Sequence, residues 1–152
     1  MKVVLQCVTS ARVRVDGETI GAIGRGFLLL LGVEENDSEA AADRMADKIC
    51  KLRLFEDANG KTNLSLADVD GGLLVVSQFT LCADCHKGNR PSFIRAGSPE
   101  KARRLYEYFI ERCRMHVPKV EHGSFGAYMQ VELVNDGPFT LILEGDENGI
   151  RA

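Results

Sequence analysis

The 152-residue chain has no long apolar run: the longest, Phe27 to Leu31 continued by Gly32 and Val33, is far short of the roughly 20 residues a membrane helix requires. No membrane span is expected. Behind Lys2 only Val3, Val4 and Leu5 precede Gln6, too few for a secretory h-region, so a cytoplasmic location is expected. The chain also has no surplus of positive charge. Its 19 basic and 22 acidic residues leave a formal net charge of −3, which argues against a generic polyanion binder that works through overall charge.

The cysteines do not form a framework. Cys7, Cys50, Cys82, Cys85 and Cys113 are odd in number and irregular in spacing, so reduced thiols are expected. Cys82-Ala83-Asp84-Cys85-His86 has the outline of a redox dithiol, half a zinc site or a haem attachment, but each reading lacks support. No second Cys pair or spaced His pair completes four zinc ligands, no thioredoxin-like βαβ context surrounds it, and haem attachment belongs to exported proteins. No metal and no cofactor is expected. A G-x-S-x-G elbow is missing as well. His86, His116 and His122, with Ser77 or Thr80 as nucleophile and Asp84 or Asp136 as orienter, show no triad spacing. They read as solvated histidines, His116 and His122 in a loop around Pro118-Lys119.

What is present is an ordinary globular composition, 45% hydrophobic and 27% charged, at a length that suits one domain spanning residues 1–152 with a core large enough to need no staples. Val3–Val8 and Ala11–Val15 read as strands, and Asp16-Gly17 turns the chain into Thr19–Ile23 as a hairpin. Phe27–Val33 reads as a central strand covered on both faces, and Leu73–Val76 as another. Ser38 caps a helix running to about Leu52, with Ala42, Met45, Ile49 and Leu52 on one face. Ser98-Pro99-Glu100 starts a second helix that carries Ala102, Leu105, Tyr106, Phe109, Ile110 and Cys113 at helical spacing. Met129–Leu133 alternates as a strand, and Asn135-Asp136-Gly137-Pro138 is expected to turn it into a last strand, Phe139–Leu143. The fold class expected is α+β with a mixed sheet.

Two segments invite chemistry. Ser77-Gln78-Phe79-Thr80-Leu81 presents hydroxyls, an amide and backbone N–H groups at the end of a buried strand. From His86 to Arg104 the chain carries Lys87, Arg90, Arg95, Lys101, Arg103 and Arg104 against Glu100 alone. With Gly88, Pro91 and Gly97 keeping it irregular, this stretch suits either a solvated basic face or a track for a phosphate backbone or RNA end. As a turn dipeptide, Gly137-Pro138 has an ordinary structural explanation.

Taken together, Ser77-Gln78-Phe79-Thr80-Leu81, Lys87-Gly88-Asn89-Arg90-Pro91-Ser92-Phe93, Phe125-Gly126-Ala127-Tyr128-Met129-Gln130-Val131 and Asn135-Asp136-Gly137-Pro138 resemble the D-aminoacyl-tRNA deacylase family. The resemblance runs from the opening strand to about Glu144 and leaves Gly145–Ala152 outside. It implies a barrel-like mixed sheet with two main helices and a homodimeric hydrolase. The substrate would be the ester joining a D-amino acid, or glycine mischarged on tRNA(Ala), to the 3′-terminal adenosine of tRNA. The family's S-Q-x-T-L motif falls on Ser77, Gln78, Phe79, Thr80 and Leu81, the implied catalytic segment. Its Gly-cis-Pro motif falls on Gly137 and Pro138, which would enter the partner's site, hold the amino group through carbonyl oxygens and exclude an L side chain. Phe125 and Met129 would bind substrate, and Lys87, Arg90 and Arg95 would contact tRNA.

An aminoacyl ester is already activated, so backbone N–H groups near Phe79 and Thr80 and the vicinal ribose hydroxyl could replace a side-chain nucleophile; Thr80 as covalent nucleophile is the other reading. Outside catalysis, the same scaffold suits a nucleic-acid-binding protein, and Cys82 and Cys85 leave a metal or redox role open. One departure stands out. The family's usual Gln-Arg-Val, whose arginine orients the Gly-Pro carbonyls, reads Gln6-Cys7-Val8 here. Either Arg12 or Arg14 compensates for the lost guanidinium, or the dipeptide is held less firmly.

Overall fold

The first strand organises the sheet. In the structure, a computed structural model that describes residues 1–152, β1 (Lys2–Val15) alternates buried Val3, Leu5 and Cys7 with half-buried neighbours, the period of a strand with two unlike faces. Along one edge it pairs with β2 (Glu18–Ile23) and with β3 (Gly26–Gly32), and along the other with β8 (Gln130–Asp146), all antiparallel. Parallel partners extend the sheet from β3 through β6 (Gly72–Ser77) to β7 (Val120–His122). β9 (Gly149–Arg151) closes the far edge against β8. The resulting order is β7-β6-β3-β1-β8-β9, with β2 on β1, while β4 (Arg53–Glu56) and β5 (Thr62–Ser65) form a separate hairpin.

The architecture is the expected α+β arrangement with two main helices and a mixed sheet, which curls without closing into a barrel. β2 bends towards β7 so tightly that a Cβ on Gly21 would lie 2.7 Å from the His122 carbonyl oxygen.

α1 (Glu39–Lys51) and α2 (Pro99–Arg114) cover one face. Their apolar sides, Ala42, Met45 and Ile49 with Leu105, Phe109 and Cys113, join Val3, Leu5, Phe27, Leu29, Leu31, Leu73 and Val75 in the main core. On the other face Val8, Val13, Ile23, Leu28, Leu74 and Val76 form a smaller cluster bordered by Met129, Val131 and Leu133. Because β3 and β6 contribute to both clusters, they read as continuous apolar runs. The Ser38 hydroxyl accepts from the Ala41 amide at 3.3 Å and Ser98 accepts from Lys101 at 3.4 Å, so both helices start at the caps the sequence indicates.

The structure differs from the sequence reading in several places. Val3–Val8 and Ala11–Val15 belong to one strand, with register shifts near Val8 and Ser10. Residues 129–143 form no hairpin either. β8 runs on in one direction, with Asn135 opposite Val8 and Thr140 opposite Gln6, so Asp136–Phe139 bow out against Cys7. Pro138 has no N–H to donate to a ladder, and Gly137 sits at φ +138°, so the segment leaves the ladder and rejoins it. Asn135 closes its neck: its side-chain oxygen accepts from the Phe139 amide at 2.8 Å, and its amide donates to the Thr140 hydroxyl at 2.9 Å.

β4, β5, β7 and β9 are additions that the sequence pattern does not announce. With β7 comes a correction to His122: it ends a strand rather than lying in a loop, exposed as expected, with Nδ1 2.6 Å from the Gly123 carbonyl oxygen. His116 is exposed, as expected, and its Nε2 lies 2.8 Å from Asp47.

Candidate active site

The end of β6 carries the first wall of the site. β6 leaves the sheet at Ser77, the Gln78 amide donates to the Leu31 carbonyl at 2.8 Å, and Phe79–Cys82 then coil into a single 3-10 turn. Leu81 is the first amide of that turn to reach back, to Gln78 at 3.3 Å. No side chain caps the turn. The Phe79 and Thr80 amides therefore precede its ladder, where first-turn donors lack internal partners. Gln78 donates from Nε2 to the Thr80 hydroxyl at 2.5 Å. Phe79, 54% exposed, meets Phe93 edge to face at 5.0 Å between ring centres.

The opposite wall is the entrance to α2 and the segment before β8. Gly97 donates to the Val33 carbonyl at 3.0 Å, and Glu35 to the Arg95 carbonyl at 3.0 Å, which ties the approach to α2 to the end of β3. Below it, Tyr106 is anchored by its hydroxyl to the Val75 carbonyl at 2.8 Å and packs on Phe125 at 5.9 Å. Arg103 lies over the Phe125 ring at 5.2 Å. Met129 folds back so that Sδ is 3.4 Å from the Ser124 nitrogen.

Between these walls is a cavity of about 470 Å³ lined by Ser77, Gln78 and Phe79, by Gly97, Pro99 and Ala102, and by Phe125 to Met129. No carboxylate, histidine, cysteine, lysine or arginine lines it, and Tyr128 is its one ionisable residue.

Ser77, Gln78, Phe79, Phe125 and Met129 thus converge on one cavity, whereas Thr80 is exposed beside it and does not line it. The histidines and Asp84 stay outside. Asp84 lies with His86 on an exposed loop, where the His86 amide holds its carboxyl below the usual range. Lys87 and Arg90 project from that loop, which is closed by reciprocal 2.8 Å bonds between Asp84 and Ser92. Arg95 faces a different cleft of about 910 Å³ near the N-terminus, lined mostly by charged and polar residues. There Asp37 accepts from the Met1 amino group at 2.5 Å and Gly145 from it at 2.8 Å. Gly137 and Pro138 are exposed, joined by a cis peptide bond, and outside the cavity. Ala96, Gly97, Pro99 and Ala102 line the cavity without a signal in the sequence, whereas Ala127 and Tyr128 lie in the Phe125–Val131 segment that carries the resemblance. The small ones carry no chemistry to betray them, and Ser98-Pro99 reads only as a helix start.

A family profile described as D-Tyr-tRNA(Tyr) deacylase matches residues 4–144. The chain belongs to this family. A curated D-aminoacyl-tRNA deacylase of Variovorax paradoxus is 57% identical over 144 residues, covering 95% of the chain and 99% of that protein. One from Thermosipho melanesiensis is 54% identical over 145 residues, 95% and 97% of the two chains. Among solved structures, a protein named c-Myc DNA Unwinding Element Binding Protein aligns with a TM-score of 0.90 at 45% identity, over 95% of this chain and 99% of its own. A probable eukaryotic D-amino acid tRNA deacylase aligns with a TM-score of 0.81 at 17% identity over 93% and 97%, a likeness of fold. No helix is long and apolar enough to cross a membrane.

Proposed function

We propose that this member of the family hydrolyses the ester that joins a D-amino acid, or glycine, to the 3′-terminal adenosine of tRNA, and that it does so in the cytoplasm as a homodimer. The observation that carries the reading is the cavity itself: motif residues on two walls, and no side-chain base or charged nucleophile among them. Such a site suits an ester that needs positioning and charge stabilisation rather than a strong nucleophile. Water attacks the carbonyl carbon, the Phe79 and Thr80 amides stabilise the oxyanion, and collapse of the tetrahedral intermediate releases the ribose oxygen. That oxygen takes up the proton lost by water, with the vicinal ribose hydroxyl assisting the transfer. Phe125 and Met129 flank the aminoacyl group, while Lys87, Arg90 and Arg95 meet phosphates further along the tRNA.

Gly137 and Pro138 lie on the surface, outside their own chain's cavity. This supports a dimer in which they enter the partner's site, where their carbonyl oxygens hold the substrate ammonium and the backbone blocks an L side chain. Glycine passes the same filter. The test is amino-acid release from matched D-Tyr-tRNA, L-Tyr-tRNA and Gly-tRNA, with the oligomeric state measured in parallel. Release from the D and glycyl substrates only supports the reading. Absence of release from all three, with tRNA still bound, moves the chain to the nucleic-acid-binding reading.

A further inference from the structure

Helix α2 carries five cations, and four of them are engaged. The Lys101 ammonium is held by the Glu35 carbonyl, Arg104 pairs with Glu39 at 2.6 Å, Arg112 with Asp43 at 2.7 Å and Arg114 with Glu111. Arg103 is exposed and has no ion-pair partner, although Glu107 stands one turn further along the helix. Its guanidinium lies instead over the Phe125 ring at 5.2 Å, a seat that steadies the head through the ring face and leaves N–H donors free. Phe125 is also a shared wall. It lines the cavity and, with Arg103, a second groove of about 480 Å³. Along α2 this groove runs past Arg103, Glu107, Glu111 and Arg114. Pro99 and Ala102 line the cavity, so Arg103 stands at the cavity end of the groove and both acids lie beyond it. An anion is therefore favoured where cavity and groove meet and disfavoured further down.

We propose that Arg103 binds the phosphate linking the terminal adenosine of the substrate to the nucleotide before it, and so fixes the strand where it enters the cavity. In the 3′ ester only the ribose ring separates the acylated oxygen from that 5′ phosphate. An ester held at the Phe79 and Thr80 amides thus brings the phosphate to the cavity rim, where a guanidinium offers it two parallel N–H bonds. Glu107 and Glu111 repel the rest of the strand from the groove, so Arg103 takes one phosphate and the Lys87 and Arg90 loop takes later ones. The inference rests on the proposed deacylase function for its substrate, but the phosphate contact is testable without hydrolysis.

Binding of adenosine and of adenosine 5′-methylphosphate, a diester like that of the tRNA strand, is measured by chemical-shift titration. The full-length wild type is compared with Arg103→Lys and with Arg103→Met, which keeps apolar cover on Phe125. The wild type is expected to bind the phosphate form at least about fivefold tighter, Arg103→Met to bind the two alike, and Arg103→Lys to fall between, since an ammonium lacks the fork. Equal wild-type affinities, binding of neither compound, or a preference that survives in Arg103→Met overturns the proposal whether or not the protein is a deacylase. Hydrolysis then separates recognition from packing. Arg103→Met is expected to lower the ratio of kcat/KM for D-Tyr-tRNA to that for D-tyrosyl-adenosine, which has no phosphate, by about five- to tenfold. A folded variant that leaves this ratio at the wild-type value makes Arg103 a packing partner of Phe125 and overturns the proposal. A wild type inactive on both esters is the distinct failure of the deacylase reading, with the titration still deciding on Arg103.

Discussion

The Gln78 side-chain amide donates to the Thr80 hydroxyl at 2.5 Å, and no histidine, carboxylate or lysine lines the cavity beside which Thr80 stands. A hydroxyl acting as covalent nucleophile needs an adjacent group to take its proton, and a carboxamide cannot. Thr80 is therefore expected to brace the turn that carries the oxyanion donors. Thr80→Ala should slow D-Tyr-tRNA cleavage about tenfold, the equivalent of about one hydrogen bond, and leave no acyl-enzyme in single-turnover trapping. Complete loss of activity in a folded variant that still binds tRNA would favour the nucleophile.

Gly137 tests the filter. Its φ is +138°, and a Cβ there would lie 2.8 Å from the Phe139 nitrogen, the atom that donates to Asn135 at the neck of the bow. Gly137→Ala must shift this backbone, at a local cost of about 1–3 kcal/mol. Since Gly137 and Pro138 are themselves exposed, the variant is expected to keep its circular dichroism and melting transition while losing cleavage of both D-Tyr-tRNA and Gly-tRNA. Wild-type rates would detach Gly137 from catalysis.

The sequence reveals these features unevenly, for physical reasons. β3, β6 and α2 are legible because burial on two faces leaves a continuous apolar run and burial on one leaves helical spacing. Ser77 to Thr80 stand out because polar residues follow a buried strand. β7 and β9 are three residues long, too short for any periodicity. The bow at Asp136–Phe139 reads as a reversal because Asn-Asp-Gly-Pro serves both, and only the register against β1 separates them. In the site, Ala96, Gly97, Pro99 and Ala102 act by being small, which no motif announces.

The thiols provide an independent check on packing. Cys85 is exposed and the other four cysteines are buried, so a thiol reagent is expected to titrate one group in the native protein and all five in denaturant. Burial raises Cys7 from 9.0 to about 11 and also raises Cys82. Between those values the unfolded chain releases the Cys7 proton while the native protein retains it. Its contribution to stability is thus complete below pH 9 and is lost as pH rises towards 11. Unfolding free energy measured in urea should fall across that window, and Cys7→Ser should flatten the decline. Equal slopes would show that Cys7 is solvated in the native state.

Lys87 and Arg90 stand on the loop closed by Asp84 and Ser92, and neither has an ion-pair partner, whereas Arg104 pairs with Glu39 at 2.6 Å and the Lys101 ammonium is engaged by the Glu35 carbonyl. Unpaired cations on a loop are the ones free to displace counterions from phosphates, so salt should separate the two groups. Replacing Lys87 and Arg90 by Ala is expected to weaken tRNA binding and to reduce the slope of log affinity against log salt by about 0.7 to 0.9 for each phosphate no longer neutralised. Arg104→Ala should leave that slope unchanged. Because both residues lie outside the cavity, kcat for D-Tyr-tRNA should hold while KM rises. A fall in kcat with KM and the salt slope unaltered would place the loop in the chemistry and remove it from tRNA binding.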